Sequence, residues 1–444
     1  MEEKDKKTGI ALGWPLHSKR KKGVFLKSIS GSKAVSRHNF GNAVSFNESS
    51  HLISIARTGS GKGVSAIIPT LLSYAGPAIV IDPKGENFFV TAKYRRETLG
   101  HKVFAVDPFG VIDRYPEHSI VERPCGINVF GPLLSPDSNQ KKGDSTTLAR
   151  MMTGIDPSTQ KDPYWQNSAE SLLTGLIQLV ASLTHLGSNQ KSLKQVVDLL
   201  MRPDIEDVLN YLLNNQSHTQ IDEFARRSLQ TFLNNADMQR QIIKSMSQTN
   251  IELFDSPEIL HCLSSDDIKA DVIKAGDRFT VYIIMPPNKL ASHSRVFSMI
   301  VVAMLNIITQ RSEIPKLRTL FMLDECAQFG TLDELRRAVT LLRGFGLQVW
   351  MFFQDLSQLT HLYADSASLI NNCGVVQVFG MGRRIDAEPI ELMLGVPADD
   401  LLSLDNTQQV VSFAGNKPQT LRRLNYLRDY TLLRRAAANP YYKD

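Results

Sequence analysis

The residues best suited to chemistry are one lysine and two acids that lie far apart in the chain. Lys62 closes the stretch Arg57-Thr58-Gly59-Ser60-Gly61-Lys62 and is followed by Gly63. A β-branched run, His51–Ile55, enters this stretch and a helical pattern leaves it through Leu72. Strand, glycine loop and helix in that order are the context of a Walker A loop. Gly59 and Gly61 let the backbone wrap closely around a phosphate, and successive N–H groups with the helix N-terminus supply partial positive charge. Lys62 adds a full charge for the terminal phosphates. Thr58, Gly59, Ser60, Gly61, Lys62, Gly63 and Val64 are therefore the candidate nucleotide-binding residues. The loop departs from the usual pattern twice: Ala56 stands at the first glycine position, and Gly63 replaces the hydroxyl residue that normally ligates magnesium. Ser65 is two residues further along a helix and points to nearly the opposite side, which leaves Asp324 and water to hold more of a metal shell.

The acids are Asp324 and Glu325, which end the apolar run Thr319–Leu323 in a Walker B arrangement. There Asp324 would orient magnesium, through water or directly, and Glu325 would polarise an attacking water. Gln354 follows the run Leu347–Phe353, at the edge of a sheet where ligands bind, and from there could report on a γ-phosphate to Asp355–Leu359. Between these, Thr331 and Glu334 form a capping-box pattern that starts a helix through Leu335, Ala338, Val339 and Leu342, with Gly344 as its stop. Arg343 then sits at the helix end, either as a finger on a neighbour's nucleotide or as a cation favoured by the helix dipole. Arg383 and Arg384, beyond the last strand-like run, are either phosphate sensors or surface charge.

The elements that must hold these groups alternate. Short β-branched runs at His51–Ile55, Ala78–Ile81, Lys102–Val106, Thr280–Met285, Thr319–Leu323, Leu347–Phe353 and Val375–Phe379 are separated by amphipathic helical stretches. That order predicts an α/β fold with a mostly parallel, doubly wound sheet. From Asp162 to about Ala270 strand-like runs vanish and helical patterns dominate, as in Ala169–Leu183. The expected organisation is an N-terminal basic segment over 1–50, a discontinuous nucleotide domain over 51–155 and 271–444, and an inserted all-α domain over 156–270. Ser135–Ser145, rich in Ser, Asp, Asn and Lys, reads as an exposed loop.

At 444 residues, 42% apolar and 21% charged, the chain can bury one large core or two moderate ones. Four scattered cysteines without a CxxC pair argue for reduced thiols in the cytosol and against structural zinc. No run reaches the ~18–20 apolar residues of a membrane span. The closest, Met299–Ile308, is interrupted by Asn306 and reads as a buried helix. The N-terminus has no secretory pattern, so membrane contact is expected to be peripheral. Net charge is +5, with basic residues gathered at Lys19, Arg20, Lys21 and Lys22 and at Arg422, Arg423, Arg428, Arg434 and Arg435. These clusters suit either solvated mobile termini or contact with nucleic acid or anionic lipid.

The blocks HLISIARTGSGKGVSAIIPTLL, VIDPKGENF, KVFAVDPF, DPYWQNSAESLL, LFMLDECAQFG, FFQDLSQL and NNCGVVQVFG run in order from about His51 to Arg384. Together they resemble the coupling proteins of bacterial type IV secretion systems, the conjugative DNA-transfer ATPases. The combination of SGKG, DPKGE and LDE-x-A-Q is more specific than any one motif, and Gly63 fits because many such proteins carry SGKG. The resemblance implies a RecA-like P-loop domain using ATP and magnesium, an inserted all-α domain, a homohexameric ring and docking onto a secretion channel. It implies DNA, single- or double-stranded, relaxase–DNA complexes or protein effectors as cargo, at the cytoplasmic face of the inner membrane. By position, Lys62 binds phosphate, Asp324 and Glu325 serve magnesium and water, Gln354 links nucleotide to pore, Arg343 is the trans-acting finger, and Asp82 and Glu86 of DPKGE lie beside the site. Such proteins usually begin with membrane helices, whereas only about 50 residues precede this loop; a trimmed chain or a soluble variant is expected.

Two functions of different class follow. One is an ATP-driven translocase. The other is a receptor whose helical domain recognises cargo while nucleotide stabilises assembly with little hydrolysis. A strand-separating helicase would share every nucleotide-site residue with the first.

Overall fold

The structure is a computed structural model, and it describes residues 9–16, 40–121, 123–134, 141–154, 163–184, 186–187, 190–214, 221–329 and 333–442. The chain divides into two compact units, one of Met1–Arg123, Val272–Ala291 and Arg311–Asp444, the other of Pro124–Asp271 and Ser292–Gln310.

The first unit is built on one sheet. Its strands are β1 (Ile10–Pro15), β2 (Val44–Phe46), β3 (His51–Ile55), β4 (Ala78–Ile81), β5 (Lys102–Val106), β6 (Phe279–Ile283), β7 (Thr319–Leu323), β8 (Leu347–Phe353), β9 (Cys373–Phe379), β10 (Gln408–Phe413) and β11 (Gln419–Arg422). Among the described residues they lie in the order β2-β1-β11-β10-β9-β3-β8-β7-β4-β6-β5. Every pairing from β9 through to β5 is parallel. In β3, β4, β6, β7, β8 and β9 every residue is buried, as strands covered by helices on both faces require. All seven parallel strands were legible as apolar runs, with β6 starting one residue earlier and ending two residues earlier than expected and β9 extended back to Cys373.

The other strands, β10, β11, β1 and β2, pair antiparallel along the β9 flank. Their patterns are faint because Gly13 and Pro15 interrupt β1, whose pairing with β2 shifts register between Ala11 and Gly13, and because β10 opens on two glutamines. The described part of the first 50 residues therefore adds strands to the same sheet and does not form a separate lead-in. The basic group Lys19–Lys22 lies outside the described residues.

The second unit is helical. Its central helix, Tyr164–Ser182, buries Leu172, Leu173, Leu176, Leu179 and Val180, and the helices Glu223–Leu233 and Asp237–Ile251 pack against it. The unit begins earlier in the chain than the expected 156, and it also takes in the helix Ser294–Thr309. That helix buries Met299, Ile300, Met304 and Ile307 and packs against the helix Lys141–Thr153. The expected loop 135–145 is corrected in its second half: residues 141–145 open the helix Lys141–Thr153, with Ser145 wholly buried. Buried Leu148, Ala149 and Met152 supply the helical stripe that outweighs the polar start. Residues 135–140 lie outside the described residues. No helix among the described residues is long and apolar enough to cross a membrane.

Candidate nucleotide site

Strands β3, β8, β7 and β4 are consecutive neighbours, and their registers bring Ile55 level with Phe353, Met351 level with Leu323, and Leu323 level with Ile81. The loops that leave these strands must therefore meet at one edge, the C-terminal edge where open α/β sheets bind ligands. Ala56 prolongs the ladder by donating its N–H to the Phe353 carbonyl at 2.8 Å. The chain then turns, with the Ser60 N–H on the Arg57 carbonyl at 3.0 Å, and enters a helix through the Ser65 N–H on the Gly61 carbonyl at 2.8 Å. The first helical turn, Gly63–Ile67, is π-type before Ile68–Leu71 becomes regular. Gly59 and Gly61 have φ of +76° and +86°. A Cβ would meet nothing within 4 Å at Gly59 and only Ser65 Oγ, at 3.9 Å, at Gly61, so backbone conformation and not space makes glycine necessary at both.

Four side chains converge over this loop. Lys62 Nζ lies 2.8 Å from Asp324 Oδ1 and is hydrogen-bonded to Glu325 Oε1. Gln354 Nε2 donates to the other Glu325 oxygen at 2.9 Å. Lys62, Asp324 and Glu325 keep 15%, 16% and 19% of their side-chain surface exposed, so their charges interact with modest screening. Burial works against the charge on Lys62, but the two acids hold its pKa above the usual lysine value. The acids differ although they share one partner. Burial pushes Asp324 up against the pull of Lys62, while in Glu325 the opposing burial is outweighed by Lys62 and Gln354, which hold its carboxyl low. Asp324 meets Lys62 through Oδ1 in an ion pair. Glu325 also has φ +58°, the left-handed region that costs a residue with a Cβ roughly 1–2 kcal/mol. Such strain concentrates at functional sites.

The other sequence candidates are distributed around this cluster. Asp82, which follows β4, holds the first turn of the helix Glu86–Glu97, accepting from the Phe88 N–H at 2.8 Å and from Asn87 Nδ2 at 3.2 Å. Burial pushes its carboxyl up to about 7. Burial likewise raises Glu86, with Asp324 adding to the effect, and Glu86 accepts from Asn439 Nδ2 at 2.8 Å. Arg384 pairs with Asp399 at the start of the helix Arg384–Leu394, and Arg383 is exposed beside it. Both follow β9 at the same sheet edge as the loop, and the Arg57 guanidinium lies where a Cβ on Gly382 would stand.

Arg343 is not in this group. It precedes β8, so the length of that strand, roughly 20 Å at ~3.3 Å per residue, separates it from Gln354. It is exposed and donates to Ser49 Oγ at 2.9 and 2.8 Å. The helix before it also ends differently from the expectation. It runs Asp333–Leu341, continues as a 3-10 turn over Leu342–Phe345, and is closed by Gly346 at φ +77°, not by Gly344. Thr331 of the expected capping box lies outside the described residues.

One contributor was read differently from the sequence. Arg423, one of a basic group suited by sequence either to a solvated mobile end or to contact with nucleic acid or anionic lipid, is buried, and its Nη1 donates to the Ser60 carbonyl at 2.6 Å. Arg435 is tied down as well, by a bond to the Leu72 carbonyl at 3.0 Å and by packing over Tyr94. The signal in the sequence was the apolar spacing around these arginines, Leu421, Leu424, Tyr426 and Leu432, all buried.

The donor set fits a magnesium nucleotide. Asp324 offers a hard carboxylate, paired with Lys62, beside a loop of N–H donors, and magnesium commonly takes one or two carboxylates, waters and phosphate oxygens. Gly63 brings no hydroxyl to that shell.

The chain is 23% identical over 367 residues to a conjugal transfer protein TraG of Escherichia coli, covering 78% of this chain and 55% of that protein. It is 24% identical over 438 residues to the protein VirD4 of Agrobacterium fabrum, covering 89% and 61%. The chain thus spans little more than half the length of these relatives. Among solved structures, the bacterial conjugative coupling protein TrwBdeltaN70 in complex with sulphate superposes with a TM-score of 0.62 at 17% identity, over 93% of this chain and 96% of that one. The plasmid coupling protein TrwB in complex with ADP and Mg2+ gives 0.61 at 18%, over 91% and 94%. These likenesses establish a shared fold, a RecA-like α/β unit with a helical one. The family model for type IV secretory system conjugative DNA transfer matches residues 15–396, and the chain belongs to that family.

Proposed function

We propose that this chain is an ATP-driven coupling protein that recruits DNA or nucleoprotein cargo to a type IV secretion channel and moves it by hydrolysis. The observation that carries the reading is the convergence of Lys62, Asp324, Glu325 and Gln354 over a glycine loop at the C-terminal sheet edge. Lys62 exchanges its carboxylate partners for the β- and γ-phosphates. Asp324 holds magnesium, directly or through water, and when bound the ion neutralises charge on the phosphate oxygens. Glu325, kept ionised by Lys62 and Gln354, accepts a proton from the attacking water. Gln354 senses the change at Glu325 and passes it to the helix Leu356–Leu362 through the bond between its own N–H and Gln358 Oε1, 2.9 Å. Asp82 and Glu86 shape the acidic wall beside the site, and Arg383 and Arg384 stand as sensors at the exit of β9.

Arg343, being exposed and remote from its own site, serves a neighbour's nucleotide in a homohexamer. Cargo is single- or double-stranded DNA, relaxase–DNA complexes or protein effectors, delivered at the cytoplasmic face of the inner membrane. The relatives' names, conjugal transfer protein and coupling protein, support this reading.

The test is steady-state ATP hydrolysis with and without DNA, at concentrations that permit ring assembly, for wild type and Glu325→Gln. DNA-stimulated turnover lost in the variant is the expected result. Nucleotide binding without turnover in the wild type would replace the motor with a nucleotide-stabilised cargo receptor.

A further inference from the structure

We infer that Arg423 is a positioning residue for nucleotide binding: from the antiparallel flank of the sheet it fixes the Ser60–Gly61 peptide of the phosphate loop. The inference rests on the nucleotide site proposed above. Arg423 is 6% exposed and makes three contacts with its guanidinium. Nη1 donates to the Ser60 carbonyl at 2.6 Å, Nε donates to the Gln408 carbonyl at 2.6 Å, and the plane lies 4.1 Å over the Phe379 ring. It thereby ties the crest of the loop to the last residue of β9 and the first of β10.

The stereochemistry gives the contact its consequence. A peptide unit is planar and trans, so its C=O and N–H point in opposite directions. With the Ser60 carbonyl held by Arg423, the Gly61 N–H is turned away from the flank. Gly61 is the residue least able to hold that orientation alone, because glycine crosses between φ +86° and negative φ at little cost. A loop that binds phosphate through N–H groups loses a donor whenever this peptide rotates. A buried guanidinium is also an expensive choice for simple filling. Here it donates to two main-chain carbonyls, one of which belongs to the loop. Lysine could carry the charge but has no planar fork to span both carbonyls and lie on the ring.

The test uses the full chain and ADP with magnesium, titrated by calorimetry, for wild type, Arg423→Met and Arg423→Lys, with thermal melting of each. Arg423→Met is expected to melt within a few degrees of wild type and to bind ~10-fold or more weakly, the scale of one charge-assisted hydrogen bond. Arg423→Lys should recover part of that loss. In turnover assays KM for ATP should rise more than kcat falls, because the chemistry at Glu325 is untouched. If Arg423→Met fails to fold, Arg423→Lys decides through its affinity and through faster hydrogen exchange at the Gly61 amide. A folded variant that binds ADP within twofold of wild type overturns the inference while leaving the nucleotide site intact. A wild-type chain that binds no nucleotide overturns both.

Discussion

The C-terminal edge of β3, β8 and β7 and the flank formed by β9, β10 and β11 build opposite sides of one loop by different means. The first is an edge of charges: one lysine, two acids and an amide within hydrogen-bond reach, brought together because β3, β8 and β7 are parallel neighbours that end at the same edge, β3 level with the end of β8 and β7 two residues short of it. The second is a support made of backbone carbonyls, an aromatic ring and a single buried arginine. Chemistry is concentrated where charge differs most between bound partners, and shape is maintained where it differs least. The two regions should therefore fail in different ways when altered.

The largest effect is expected for Lys62→Ala, which should abolish both nucleotide binding in a calorimeter and hydrolysis. It also releases Glu325 from the cation that holds its carboxyl low. Next, Glu325→Gln should lower turnover by ~10²–10⁴-fold, the worth of a general base, while keeping nucleotide affinity within a few fold. Loss of binding in that variant would show that the charged edge builds the loop as well as running the chemistry.

A smaller effect is expected with pH. The Asp82 carboxyl is raised from 3.8 to about 7 in the folded chain, so the folded state holds a proton that the unfolded state releases. The stability this contributes is fully present below pH ~4 and is lost as pH rises to ~7, with a slope of at most about 1.4 kcal/mol per pH unit. Asp82→Asn should flatten the melting temperature against pH across that window. An unchanged slope would mean that Asp82 is ionised throughout. Smallest of all, Phe379→Leu on the flank removes the ring under Arg423 but neither of its hydrogen bonds. It should raise KM for ATP by at most ~30-fold with kcat unaltered, since a cation–π contact contributes about 0.5–2 kcal/mol. A fall in kcat there would erase the distinction between the two regions.

How much of this was legible in the sequence follows the same division. The parallel strands announce themselves because strands buried on both faces are unbroken apolar runs, and Gly59, Gly61, Lys62, Asp324 and Glu325 are marked by their context, a glycine loop between strand and helix and an apolar strand ending in two acids. Gln354 was legible because it follows such a run directly. The flank was not, since β1 and β11 mix glycine, proline and polar residues and pair across hundreds of positions. Arg423 illustrates why: as one of a cluster of arginines it reads as solvated charge or as a contact for nucleic acid or anionic lipid, and only long-range pairing encloses it. The helical unit's extent was misjudged for a related reason. The helix Ser294–Thr309 lies in sequence between strands of the sheet yet packs with helices that precede it by more than a hundred residues.

The span of these pairings has a consequence for how the protein is made. The loop's clamp, Arg423 on Ser60, joins residues 363 apart, and the lysine–acid contact joins residues 263 apart. Ribosomes release a chain from its N-terminus at ~5–20 residues per second. The phosphate loop therefore leaves the ribosome tens of seconds before the segment that steadies it. Pairings of such separation also form late, after the loop-closure cost has been met. If Arg423 steadies the loop as inferred, tight nucleotide binding requires synthesis to have passed Arg423, and a product stalled before that residue would lack the clamp on Ser60.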